Sequence, residues 1–128
     1  MPSFPLVSVV MPVYNSEAYL KPAVESILSQ TFCDFELIII DDSPTDKTAA
    51  ILDSYTDPRI ICLHNQEHCG LIRSLNLGLA TARGKYIARM DADDISLPHR
   101  LEGQVHYMEA HPDIGLLGTW IEDIDENG

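Results

Sequence analysis

Four consecutive residues, Asp91-Ala92-Asp93-Asp94, put three carboxylates into one short stretch of chain. Like charges held about 4 Å apart cost up to about 4 kcal/mol per pair at an effective dielectric near 20. A divalent cation relieves that cost, and hard oxygen donors suit Mg²⁺ or Mn²⁺. A second acidic group, Asp41-Asp42-Ser43, follows the apolar run Leu37 to Ile40. A third segment, Pro12-Val13-Tyr14-Asn15, follows the run Leu6 to Met11, and Tyr14 offers a ring face on which a planar ligand can stack. Each group also has a plainer reading. Asp42 could initiate a helix, Asp91 to Asp94 could be a solvated loop, and Tyr14 could pack at a turn. Their shared position favours chemistry, because each directly follows a run that reads as a buried strand.

The elements that must position them follow from hydrophobic period. Leu6 to Met11 and Leu37 to Ile40 are apolar, rich in β-branched residues and bounded by Pro or Asp. They are expected to be strands covered on both faces. Between them Leu20, Val24, Ile27 and Leu28 recur at helical spacing, with Ser16 as the expected N-cap. Ser43 to Asp46 resembles a capping box, followed by an Ile51, Leu52 and Tyr55 stripe and a strand over Ile60 to His64. A third helix is expected to turn Leu71, Ile72, Leu75 and Leu79 inward, with Gly84 as a left-handed C-cap before the strand Tyr86 to Met90. Pro98 opens a fourth helix with Leu101, Val105 and Met108 inward, and Ile114 to Trp120 reads as a fifth strand. This alternation predicts one α/β domain over residues 1–128: a doubly wound, mostly parallel sheet with helices on both faces. In such sheets ligands bind outside the carboxyl ends of the strands, where the acidic and aromatic groups lie.

Composition and missing motifs narrow the chemistry. Eight Lys plus Arg against twenty Asp plus Glu give a net charge of −12, which argues against nucleic acid as partner. No apolar run is long enough to span a bilayer, and no secretion signal is visible, so a cytoplasmic location is expected. The cysteines, Cys33, Cys62 and Cys69, lack Cys-x-x-Cys spacing. Together with His64 and His68 they match no zinc pattern and suit a reducing compartment. His99, His106 and His111 fall on or beside a helix surface and read as ordinary. Neither Gly-x-Gly-x-x-Gly nor Gly-x-x-x-x-Gly-Lys occurs, so a bound phosphate must be held by other means. Oxygen ligands bridging a cation to a diphosphate are one.

Four stretches together carry a family resemblance: VSVVMPVYN (Val7 to Asn15), SILSQTF (Ser26 to Phe32), FELIIIDDSPTD (Phe35 to Asp46) and GKYIARMDADDISLPHRL (Gly84 to Leu101). In this order the chain resembles the nucleotide-binding half of an inverting family 2 glycosyltransferase with the GT-A fold, cut before the acceptor half. The resemblance implies that Pro12 and Tyr14 form the wall on which the nucleobase, usually uracil, stacks, that Asn15 belongs to the nucleotide-sugar site, and that Asp42 accepts a hydrogen bond from the base N–H. Asp91-Ala92-Asp93 matches the family's DXD motif. Asp93 is then the metal ligand, and Asp91 supports the ribose or the metal shell. Asp94 stands behind them, as ready to cap the next helix as to touch ligand. Arg73 corresponds to a basic residue on the nucleotide, although it stands three positions before Asn76 instead of next to it. Where the family reads Asp-Asp-Gly-Ser, this chain has Asp41-Asp42-Ser43-Pro44, which implies a stiffer turn.

The implied function is transfer of a sugar from a nucleoside diphosphate donor, UDP-linked first, to an acceptor hydroxyl of a saccharide or glycolipid, with Mg²⁺ or Mn²⁺. The general base is expected beyond Gly128, in the acceptor half, together with any contact to the inner face of the membrane. Two other readings stand beside it. A noncatalytic nucleotide-binding module would keep the fold without the base. A signalling receiver domain shares the doubly wound architecture, but needs an acidic pair after the first strand, where Pro12 stands.

Overall fold

The computed structural model describes residues 3–128. Its sheet has four strands: β1 (Val7–Val13), β2 (Phe35–Asp41), β3 (Ile60–His64) and β4 (Tyr86–Arg89). All neighbours are parallel, in the order β3-β2-β1-β4. Between and after the strands run α1 (Leu20–Leu28), α2 (Thr48–Asp53), α3 (Leu71–Thr81) and α4 (Arg100–Ala110). A receiver-type sheet of order 2-1-3 would place β1 between β2 and β3, so this order excludes that alternative.

Every residue of β2 is buried, as is every residue of β1 except half-buried Pro12, because helices cover both faces. On one face Val7, Val9, Met11 and Val13 of β1 and Leu37 and Ile39 of β2 pack with Val24 and Ile27 of α1, Leu52 of α2 and Leu101 of α4. On the other face Val10, Ile38 and Ile40 meet Leu75 of α3. The period of two along each strand divides its side chains between these layers.

Strand β1 runs through Pro12 to Val13, two residues past its expected end. The carbonyl of Val10 accepts from Met90 on the β4 side, and that of Val13 accepts from Asp42 on the β2 side. By alternation the nitrogen of Pro12 faces the β4 side, beyond the last paired residues, Val10 and Arg89. A proline there removes no ladder hydrogen bond.

Several local expectations need correction. Among the described residues Ile114 to Trp120 forms no strand, and Leu116 and Trp120 are exposed. Extended preference makes a strand only beside an edge that supplies hydrogen-bond partners, and no strand lies alongside this segment. Helix α1 starts at Leu20, and Ser16 contributes its carbonyl, not its side chain, to the amides of Tyr19 and Leu20. Ser43 is not a cap either: Asp46 Oδ1 accepts from the Thr48 amide at the start of α2, 2.9 Å away. In α3 the buried residues are Ser74 and Gly78, while Leu71, Ile72 and Leu79 are exposed. A β-carbon on Gly78 would stand 2.5 Å from a Val10 methyl. Small residues let this helix lie against the sheet, and that close approach outweighs the larger apolar stripe.

Gly84 is not a left-handed cap, since the positive-φ glycines are Gly70 and Gly128. Its backbone presses on β1, and a β-carbon would meet the Ser8 amide nitrogen at 2.6 Å. The Gly84 amide donates to Ser8 Oγ (2.8 Å), and Ser8 Oγ donates to buried Glu36 (2.6 Å). Arg83 Nε and Nη2 donate to the other Glu36 oxygen at 2.9 and 2.6 Å. Burial raises the Glu36 pKa, but these bonds and the Arg83 charge outweigh it and hold the carboxyl below its ordinary value. Close approach and a left-handed cap respond differently to substitution. Both Gly84→Ala and Gly84→Asn are expected to lose about 1–3 kcal/mol of stability in urea unfolding, whereas a left-handed cap would tolerate Asn.

Candidate functional site

In the order β3-β2-β1-β4 the chain first builds outward through β2 and β3, then returns to the other side of β1. The crevice at this reversal, outside the carboxyl ends of β1 and β4, is where such sheets bind ligands. A cavity of about 500 Å³ opens there. Its walls include Pro12 within the end of β1, Tyr14 and Asn15 after β1, Asp42 after β2, and Asp91, Ala92 and Asp93 after β4. Seven of the residues singled out from sequence are thus brought to one cavity. Arg73 is not among its lining residues and lies on the exposed surface of α3. Ser16, Tyr19, His68, Gly70, Leu71 and Ser74 also line it and were not anticipated. The rule of reading strand ends, applied to the residues after β3, would have pointed to His68 and Gly70.

Asp42 is buried at the head of this cavity. Its Oδ1 accepts from Asn65 Nδ2 (2.7 Å) and the Cys69 amide (2.8 Å). Its Oδ2 accepts from the Gly70 amide (2.9 Å) and lies 2.8 Å from His68 Nδ1. Burial pushes the carboxyl pKa up, but the Cys69, Asn65 and Gly70 hydrogen bonds and the nearby His68 outweigh it, and the net shift is downward. The neighbouring Asp41 turns the other way, toward His64 Nδ1 (2.8 Å), with its buried Oδ1 unpaired. Asn15, in the left-handed region at φ 45°, accepts from the Thr45 amide at 2.8 Å. It thereby ties the turn after β1 to the turn after β2. Ser43, where the family has Gly, is also left-handed at φ 57°, so the turn keeps the glycine conformation without the glycine.

The acidic loop after β4 has its own support. Gln30, buried beyond the end of α1, donates to the Leu97 carbonyl (2.7 Å) and accepts from the Leu101 amide (3.0 Å). Ser26 Oγ accepts from the Ser96 amide (3.0 Å), and the Thr31 amide donates to the Pro98 carbonyl (3.0 Å). The SILSQTF stretch thus works as a clamp on the 91–98 loop. Ala92 is buried in the core cluster between the two flanking carboxylates, which anchors the loop's middle. Asp91, Asp93 and Asp94 each present an oxygen within 4.8 Å of the others. Partial burial and the Asp93 and Asp91 charges raise the Asp94 pKa, against the opposing charges of Arg100 and Arg89. Arg89 Nη2 reaches Asp91 at 3.1 Å. This set of hard oxygen donors fits a divalent cation.

The cysteines stay outside this chemistry. All three are free, and burial with the Asp41 and Asp53 charges pushes the Cys62 thiol up to about 11. Among the described residues no helix is long and apolar enough to cross a membrane.

A parallel sheet with its cavity at this reversal, lined by an aromatic ring and by carboxylates from two strand ends, has the architecture in which open α/β sheets bind ligands. The sequence matches glycosyl transferase family 2 over residues 8–128, and the chain belongs to that family. An uncharacterized glycosyltransferase of Methanocaldococcus jannaschii is 52% identical over 128 residues, covering 97% of this chain and 44% of that protein. The Escherichia coli UDP-Glc:alpha-D-GlcNAc-diphosphoundecaprenol beta-1,3-glucosyltransferase WfaP is 41% identical over 104 residues, covering 81% of this chain and 41% of the relative. The chain therefore spans less than half the length of these relatives. Staphylococcus aureus TarS 1-349, solved with UDP-GlcNAc, superposes with a TM-score of 0.79 at 27% identity, over 83% of this chain and 32% of that one. The Pyrobaculum calidifontis mannosyltransferase PcManGT, solved with GDP-Man and Mn²⁺, shares the fold at a TM-score of 0.73 and 24% identity, over 83% of this chain and 33% of its own.

Two measurements test how the site is held. Replacing Gln30 by Leu strands a buried carbonyl and amide, so Gln30→Leu is expected to lower unfolding free energy by about 2–4 kcal/mol. The second concerns acid. Because the folded pKa of Asp42 lies below the ordinary 3.8, its contribution to stability is present above that value and is lost as pH falls through the folded pKa. Urea unfolding between neutral and acid pH should show a shallower acid loss for Asp42→Asn than for the parent.

Proposed function

We propose that this chain is the donor-binding part of a glycosyltransferase that takes a nucleoside diphosphate sugar, UDP-linked, and transfers the sugar to a hydroxyl of a saccharide or glycolipid. The observation that carries the reading is the convergence of Tyr14, Asp42, Asp91 and Asp93, from the ends of three strands, on one cavity. Family membership supports it. So do the names of one relative, a UDP-Glc-dependent glucosyltransferase, and of one neighbour solved in complex with UDP-GlcNAc.

In this reading Tyr14 stacks on the base and Asp42 marks its hydrogen-bonding edge. Asp93 and Asp91, with Asp94 within reach, hold Mg²⁺ or Mn²⁺ beside the diphosphate. Such an ion, when bound, supplies positive charge that stabilises the diphosphate leaving group. The residues of this chain orient the donor: Gln30, Ser26 and Thr31 fix the acidic loop, and Asn15 fixes the turn that carries Tyr14. Transfer with inversion further requires a base that takes the acceptor proton on the face opposite the leaving group. We assign that base to the acceptor half of the full-length relatives. We place the reaction in the cytoplasm, where the three free cysteines stay reduced.

A net charge of −12 without a Lys-bearing phosphate loop makes binding of a diphosphate cation-dependent. Titration calorimetry with UDP should show binding in Mn²⁺ and at least about tenfold weaker binding in chelator, as expected when a cation no longer offsets close like charges. Asp93→Ala should remove most of that difference without changing the melting temperature in the absence of ligand. Equal UDP affinity with and without metal would overturn the role given to Asp93.

A further inference from the structure

His68 sits in the loop between β3 and α3 and is half exposed, yet its ring is held at two points. It packs on the Tyr14 ring with a centroid distance of 4.1 Å and an interplanar angle of 33°. Its Nδ1 lies 2.8 Å from Asp42 Oδ2 and 3.4 Å from the Asp42 carbonyl oxygen. Of the two, the hydrogen bond is to the Asp42 carbonyl oxygen, and the carboxylate oxygen stands beside the ring nitrogen at ion-pair distance. A planar, nitrogen-bearing ring therefore lies against Tyr14 with a nitrogen close to the Asp42 carboxylate. A nucleobase in the proposed site would make the same two contacts.

Asp42 keeps one acceptor position beside His68. A carboxylate offers about four lone-pair sites, and Asn65 Nδ2, the Cys69 amide and the Gly70 amide take three, with His68 Nδ1 standing against Oδ2. These three donors belong to the loop's own framework: two backbone amides and an Asn65 side chain that also reaches Ser74 Oγ at 3.2 Å. His68, by contrast, is an exposed side chain that can swing away by rotating its own bonds. Backbone rearrangement is unnecessary.

We propose that His68 is a stand-in for the nucleobase: it occupies the base subsite of the free protein and is displaced when the donor binds. The proposal rests on the functional reading above and deepens it. A base with a ring N–H, as in uracil or guanine, replaces the stack and brings a donor to the position beside Asp42 Oδ2 that His68 occupied. In the free protein the subsite is partly filled by the His68 ring.

Two measurements test this. By calorimetry with UDP and Mg²⁺, His68→Ala should bind about three- to tenfold more tightly than the parent, because the ring stack on Tyr14 no longer has to be broken first. By NMR of the ligand-free protein, the His68 ring protons should be shifted upfield by Tyr14. That shift should vanish in Tyr14→Leu and also on adding UDP with Mg²⁺ to the parent. Equal or weaker UDP binding by His68→Ala overturns the proposal, since a ring that touches the bound base directly would give that sign. So does a ligand-free His68 signal indifferent to Tyr14→Leu, whatever UDP does. Absence of UDP binding by parent and variant alike, with the Tyr14-dependent shift present, instead rejects the nucleotide reading and the displacement built on it.

Discussion

The Asp42 carboxylate is the point on which the site depends. It stands just past β2, buried, and a charge in such a place is tolerable only if hydrogen bonds replace its lost water. The 65–70 loop provides them, closing over the strand end with two amides and the Asn65 side chain. The same closure places Gly70 at the start of α3 with φ 88°, and so sets where that helix meets the sheet. One buried charge thereby connects three consequences: the course of the loop, the position of α3, and the polar edge of the cavity.

A second constraint acts from the other side of the crevice. Carboxylates in the 91–94 loop repel, and a free loop would spread them apart. Here Gln30, Ser26 and Thr31 hold the following residues by backbone contacts, while Ala92 is sunk into the core. Partial burial first, and then the Asp93 and Asp91 charges, raise the Asp94 pKa in this conformation. Sites prepared for a cation have this character: the protein supplies the geometry and the ion removes the electrostatic cost.

Stability and function are separated along the strands. At their amino ends Ser8, Glu36, Arg83 and Gly84 form a closed network whose donors and acceptors serve one another. At their carboxyl ends polar groups point into a cavity, Tyr14 is 44% exposed and Asp93 is exposed. Leu71, one of the exposed apolar residues of α3, lines that cavity. The relatives are more than twice as long as the part they share with this chain.

The sequence by itself determined the alternation of four strands and four helices, because continuous β-branched runs and a 3.6-residue stripe are local signals. It also marked Tyr14, Asp42, Asp91 and Asp93, since polar residues directly after a buried strand sit at the sheet's ligand-binding edge. Other features exist only between segments distant in sequence. Ile114 to Trp120 carries a strand's composition, but a strand also needs a neighbouring edge. Gly84 and Gly78 look like a cap and a weak spot in a helix, yet their small size matters for atoms of Ser8 and Val10 some seventy residues earlier. Gln30 reads as an ordinary helix-end polar residue until the 97–101 backbone comes within hydrogen-bond reach. His68, likewise, has no meaning in its own neighbourhood of chain. Only the approach of Tyr14 from β1 and Asp42 from β2 gives its ring a face to lie on and an acceptor to hold it, and tertiary structure alone supplies such coincidences.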